Sequence, residues 1–236
     1  MIAIYNVLDD RKGEIEFYYS VMEDIDRDSD NMLHTADKQR FFRIMKSNFL
    51  LMLYNLVEAT FTTGMLEIYD QVKADGCPYA NVIDEIQNIW RDYKVKEVHK
   101  PDSKLSTYTN RVQNIVLDIT QNTPLILSKS MIGVDGNLNA EKIKKICDKH
   151  KIRYRVVDDQ LALEKVRKKR NALAHGDESF SRCARDLTIS DLGIIKDTVI
   201  RFISEIVEGM EKYCNEKQYL RAQQPFVNYI TKFVLK

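Results

Sequence analysis

Proline and glycine are scarce, at four and eight in 236 residues. That disfavours many short strands joined by tight turns and favours long helices. No Cys-x-x-Cys pair occurs. Cys77, Cys147, Cys183 and Cys214 are far apart, and Met1–Asn6 carries no basic, apolar leader. The thiols therefore read as reduced cysteines of a cytoplasmic protein. The longest apolar run, Phe49 to Tyr54, is far short of the roughly 18 residues a membrane span needs, so no membrane partner is expected. A net charge of +1 excludes a uniformly basic coat and leaves room only for a local patch. His34, His99 and His150 lack a Cys, Asp or His at ligand spacing, Gly133-x-x-Gly136 is too sparse for a phosphate loop, and no serine elbow occurs. Neither a metal site nor a cofactor is expected.

What is present is an ordinary soluble composition, 44% apolar and 30% charged, arranged with helical periodicity. Ile15, Tyr18, Tyr19, Met22 and Ile25 predict a helix over 11–27 with an acidic solvated face. The longest pattern, about Asp37 to Ala74, repeats Phe42, Met45, Phe49, Met52, Leu53, Leu56, Val57 and Thr60. It is apolar almost all round near its centre, as a core helix would be. Gly76 stops it, and Pro78 stands where a first-turn proline would open a helix to Tyr93. A loop is expected over 94–105, then a helix capped by Ser106 and running to Thr120. Residues 121–138 read as an irregular insertion or small hairpin. Asn139 caps a short helix to His150, and 151–157 reads as a strand or extended linker. Asp158 or Asp159 caps a helix to His175, 177–189 is a loop, and Ser190 caps a helix to about Tyr213. The tail 215–236, with Phe226, Tyr229, Ile230, Phe233 and Val234, reads as a packing helix. The expected fold class is all-α, in a single domain over 1–236.

The most informative stretch is Arg170-Asn171-Ala172-Leu173-Ala174-His175. At 100° per residue, Leu163, Val166 and Leu173 occupy an arc of about 80° with Arg170 in its middle. An arginine there requires either a partner for its five donors or a stripe that faces a cleft or a second protomer. Asn171 and His175, four residues apart, share the adjacent side. Gly176 places His175 in the last turn, where the helix end favours imidazolium. An arginine and a histidine in that setting suit phosphate chemistry, one balancing negative charge and one moving a proton. So short a pattern also occurs for purely structural reasons. Asn55 and Glu58 lie in the apolar part of the long helix. A buried carboxylate needs a partner, so Glu58 either holds Arg170 or belongs to an unrelated polar network. Arg167, Lys168 and Lys169 are either a solvated surface or a guide for an RNA backbone.

The order and spacing of Leu53-Tyr54-Asn55-Leu56-Val57-Glu58-Ala59, of Leu163 through Phe180 and of Arg185 through Leu192 resemble the HEPN superfamily. Within it, they are most similar to the prokaryotic MAE-type group, over about Asp37 to Tyr213. The resemblance implies an elongated helical bundle with long central helices, commonly a homodimer that brings two motifs into one cleft. It implies a metal-independent endoribonuclease acting as a toxin or phage-defence effector, with RNA as substrate and an antitoxin or regulatory protein as a further partner. Arg170 would polarise the scissile phosphate, Asn171 would orient its neighbours and His175 would transfer protons. Asp177, Ser179 and Arg185 would support them. A non-catalytic HEPN module binding a nucleotide, RNA or a protein is the alternative. A DNA-directed defence role has only the basic run in its favour. Two departures stand out: Asp177 replaces the tyrosine that one toxin branch has modified by a partner enzyme, and Arg182-Cys183-Ala184 replaces a loop with an acidic residue and a glycine.

Overall fold

The computed structural model describes residues 1–28, 35–98, 104–134, 136–156 and 160–222. Among them α-helices and one short 3-10 turn make up the regular structure, and no strand forms. Only isolated bridges occur, Pro78 with Pro124 and Val82 with Leu220. The all-α expectation holds.

Helix α1 spans Ala3–Arg27, beginning eight residues earlier than its sequence pattern announces. Ile4 and Leu8 extend the buried stripe of Ile15, Tyr19 and Met22. The first two amides of the helix, Ala3 and Ile4, donate to the Glu67 carboxylate at 3.0 and 2.9 Å. A remote side chain supplies the cap, so no local signal marks the start.

Helix α2, Ala36–Ala74, is the axis of the molecule. Thr35 caps it by accepting from the Lys38 amide at 3.3 Å. From Phe42 to Val72 it is buried on most sides. An eighteen-residue window of it is apolar enough to pass for a membrane span. Here that surface is covered by α1 and by three further helices, α7 (Gln160–His175), α8 (Phe180–Cys183) and α9 (Ile189–Asn215).

Beyond Gly76, whose φ of +61° suits glycine, Pro78 is extended and does not open a helix. A 3-10 turn at Tyr79–Asn81 precedes α3, Asp84–Val98, with Asp84 and Glu85 in its first turn. Helix α3 thus invades the loop expected over 94–105, of which 99–103 lie outside the described residues. Helix α4 spans Leu105–Thr120, so Ser106 is inside it and is not its cap.

The insertion at 121–138 forms no hairpin. It holds the short helix α5, Lys129–Ile132, ended by Gly133 at φ +85°. It buries Leu125, Met131, Ile132 and Leu138 in the common core. Helix α6, Ala140–His150, is capped as expected by Asn139, which accepts from the Lys142 amide at 2.8 Å. Residues 152–156 are a linker and not a strand. The expected caps Asp158 and Asp159 lie outside the described residues, as do Phe226, Tyr229, Ile230, Phe233 and Val234 of the tail. Helix α9 is capped by Thr188 and not by Ser190. Thr188 and Asp191 exchange side-chain and backbone hydrogen bonds in a capping box. All four cysteines are free and buried.

Two buried features yield predictions. His150 is fully buried. Its Nδ1 lies 2.7 Å from the Ile146 carbonyl and its Nε2 2.7 Å from the Tyr69 hydroxyl. A carbonyl only accepts, so Nδ1 carries the proton and Tyr69 donates to Nε2. Burial pushes the imidazole down to about 4, against roughly 6.5 in an unfolded chain. Between these values the unfolded chain binds the extra proton. The stability contributed is complete above pH 6.5 and drains away as pH falls toward 4, amounting to about 3 kcal/mol. Urea titrations across pH 7.5 to 4 will show this loss, and His150→Phe will flatten it.

At Gly209 an added Cβ would lie 2.6 Å from the Arg153 carbonyl and 2.8 Å from the Tyr154 Cβ, because the linker crosses α9 there. Gly209→Ala will destabilise by roughly 1–3 kcal/mol. Gly13→Ala in α1, which meets nothing within 4 Å, will be neutral or stabilising by up to about 1 kcal/mol. Chemical denaturation measures both.

Candidate functional site

Helix α7 carries the motif. Leu163, Val166 and Leu173 are buried, as the helical arc requires, and Arg170 lies half-buried among them. Its partner is aromatic. The guanidinium sits over the ring of Tyr54, 4.7 Å from the centroid, within the range of a cation–π contact. Glu58 is not that partner: among the described residues no carboxylate lies within ion-pair reach of Arg170, and Glu58 is only half-buried. The reason is register. On α2, Tyr54 occupies the position under Arg170, while Glu58 is one turn further along. The charge of Glu58 acts on Tyr54 instead. Burial pushes that phenol's pKa up, with Glu58 adding to the rise and the Leu138 amide and Arg170 opposing it. Asn55 is exposed on the solvent side of α2, outside the apolar interior where its neighbours placed it.

Tyr54 does a second job. Its hydroxyl donates to the Gly136 carbonyl at 2.6 Å and accepts from the Leu138 amide at 3.2 Å. Those residues flank Asn137, whose Oδ1 accepts from Asn171 Nδ2 at 2.7 Å. Asn171 Oδ1 accepts in turn from Arg170 Nη1 at 3.1 Å. Two circuits therefore run from Tyr54 to Arg170, one through the ring face and one through the insertion and Asn171. Asn171 orients Arg170 within the chain, with its own amide fixed by Asn137. Nothing in the sequence marked Tyr54 or Asn137 as site residues. A tyrosine inside an apolar run reads as core, and Asn137 follows a segment with no periodicity.

His175 is exposed in the last turn of α7, and its imidazole makes no hydrogen bond or ion pair to another described residue. Gly176 ends the helix at φ +77°, and the Glu178 amide donates back to the Ala172 carbonyl at 3.2 Å. The following loop contains α8 and is pinned to the core by side chains reaching its carbonyls. Ser47 Oγ donates to Phe180 at 2.6 Å, Lys46 Nζ to Leu187 at 2.6 Å and the Tyr19 hydroxyl to Ile189 at 3.1 Å. These bonds tie the segment after α7 to α1 and α2. Asp177, Ser179 and Arg185 are exposed on this loop. Ser179 faces Ser181 at 3.2 Å, Arg185 pairs with Asp186 at 3.7 Å, and no described hydrogen bond or ion pair ties the three to Arg170, Asn171 or His175.

Each of the first three cations of the basic run reaches a carboxylate. Arg167 grips Glu164 through Nε and Nη2 at 3.0 and 2.6 Å, which holds that carboxyl at about 2. Lys168 lies 3.7 Å from the same group, and Lys169 pairs with Glu178 at 3.3 Å. Arg170 is the member of the run without a carboxylate partner. One N–H is committed to Asn171 and one face to Tyr54, so its remaining donors can meet an anion. Of the other histidines, His150 is the buried partner of Tyr69 described above, and His34 and His99 lie outside the described residues.

Tyr54→Phe will keep the ring under Arg170 and leave Gly136 and Leu138 without their hydroxyl, costing about 1–3 kcal/mol. Tyr54→Leu will also lose the cation's platform and open space in the core, costing more than the phenylalanine variant. Urea unfolding ranks them, and equal stability of the two would remove the ring from the account.

The model of the MAE_28990-like HEPN family matches residues 3–219. Comparison with curated proteins and with solved structures gave no match. The matched span runs from the first residue of α1 to Tyr219, past the end of α9, and contains α2, the insertion and the motif helix. The chain belongs to the MAE_28990-like HEPN family.

Proposed function

We propose that this protein is a metal-independent endoribonuclease whose working site is shared between two copies of the chain, acting as a toxin or phage-defence effector. The observation that carries the reading is Arg170: a guanidinium braced on Tyr54, oriented by Asn171 and left without a carboxylate. Holding a cation in a fixed place with donors to spare suits charge that builds on a phosphate in the transition state. In the reaction the 2′-oxygen bonds to phosphorus and the bond to the 5′-oxygen breaks. The 2′-hydroxyl proton leaves to a base, and the departing 5′-oxygen gains one. His175, exposed at the helix end, suits these transfers.

Helical geometry favours a composite site. Arg170 and His175 are five residues apart, which separates them by roughly 7.5 Å along the axis and about 140° around it. One chain presents them on different sides, whereas two opposed chains can offer Arg170 from one and His175 from the other. A second reading, a module that binds a nucleotide without cleaving, draws on the ion pairs of Arg167, Lys168 and Lys169, which screen part of the basic run.

Incubation of the purified protein with a synthetic RNA in EDTA decides between them. Cleavage with cyclic-phosphate ends is expected. It should fall by a factor of about 100 or more in His175→Ala and vanish when the RNA carries 2′-deoxy sugars. An intact RNA with wild-type protein that still binds it supports the binding module.

A further inference from the structure

Helix α4 buries none of its residues, although it is apolar along one side. Leu105 is 81% exposed, Val116 52%, Val112 41%, Tyr108 39% and Ile119 37%. At 100° per residue these five fall within about 80° of arc, a continuous stripe on the outside of the molecule. Their exposed fractions amount to roughly 500 Å² of apolar side chain, in the range where a surface patch marks an interaction site.

Charge points the same way. In a chain that is 30% charged, the sixteen residues of α4 include only Arg111 and Asp118 as charged side chains. Both are engaged toward α3: Arg111 donates to the Glu97 carbonyl at 2.7 Å, and Asp118 pairs with Lys94 at 3.3 Å. The residues beside the stripe, Ser106, Thr109 and Gln113, are neutral. An apolar centre depleted of charge is the composition of an interface core.

The stripe is also symmetric about its middle. Taking Val112 as origin, Tyr108 and Val116 stand four residues to either side, and Leu105 and Ile119 stand seven to either side. Two such helices laid antiparallel bring Val112 onto Val112, Tyr108 onto Val116 and Leu105 onto Ile119 in both directions. A two-fold interface makes that demand of a single surface. Apart from whatever flanks it, the pair would remove on the order of 1,000 Å², about the least a specific interface needs.

We infer that α4 docks a second copy of this chain through a two-fold axis at Val112. This contact is separate from the meeting of motifs proposed above and does not depend on it. Helix α4 packs on α3 and the 79–81 turn, whereas α7 packs on α2, α6, α8 and α9. A protein using both faces assembles beyond a dimer.

Sedimentation of the full-length protein at tens of micromolar tests the α4 contact. Val112→Asp and Val112→Lys, each at an exposed position, should halve the mass of the wild-type particle with the helical circular dichroism unchanged. An equimolar mixture of the two variants should restore it, because opposite charges then meet across the axis. The inference is overturned if wild type is monomeric, if both variants keep the wild-type mass, or if the mixture fails to reassociate. It is equally overturned if amide exchange shows α4 protected in a monomer, since another segment of the same chain then covers the face. RNA cleavage by the variants is read separately, so loss of the ribonuclease reading leaves this outcome untouched.

Discussion

A half-buried cation has to be satisfied, and in this protein a phenol satisfies it. Tyr54 is almost completely enclosed. Its ring accepts the Arg170 guanidinium, and its hydroxyl closes on the backbone at Gly136 and Leu138. Had a carboxylate stood in its place, the arginine would have been neutralised and its donors consumed. The aromatic face compensates for part of the lost hydration without cancelling the charge. That difference keeps Arg170 available to an anion and lets the core of the molecule reach its surface at the motif.

The neighbouring charges make the same point by contrast. Arg167, Lys168 and Lys169 precede Arg170 immediately, yet each has a carboxylate within reach on its own helix or on the loop that follows. Reading the four as one basic patch overlooks Glu164, which serves two of them, and Glu178, which serves the third. Their pairing is local and partly exposed, so it adds little to stability. Two carboxylates serve three cations, so the run stays positive on balance, and Arg170 is its member with no carboxylate of its own.

Much of the fold was legible in the sequence because apolar periodicity dominates it. Helix α2 was recognisable within one residue from Phe42 to Thr60, and the motif helix from Leu163, Val166 and Leu173. At one end the deciding group was remote. The start of α1 depends on Glu67, more than sixty residues away, and no window around Ala3 contains it. The cap of α9 is different: Thr188 and Asp191 form a capping box at the proper spacing, and Ser190 between them drew the assignment. In the site, Arg170, Asn171 and His175 were visible as a spacing, but what fixes them was not. Asn137 and Gly136 lie in a segment without periodicity, and Tyr54 is indistinguishable by composition from the leucines around it. Glu58, which chemistry nominated, stands one helical turn from where the cation came to rest.

The centrality of α2 has a consequence during synthesis. Its covers, α7 and α9, are encoded roughly a hundred residues or more downstream. At an elongation rate of about 5–20 residues per second, this long core helix emerges ten seconds or so before the segments that complete its enclosure. Before they appear it has only α1, then the insertion and α6, to pack on. Tyr54 likewise waits for both the insertion and Arg170. The nascent chain therefore passes through an interval of exposed apolar surface, during which the site does not yet exist.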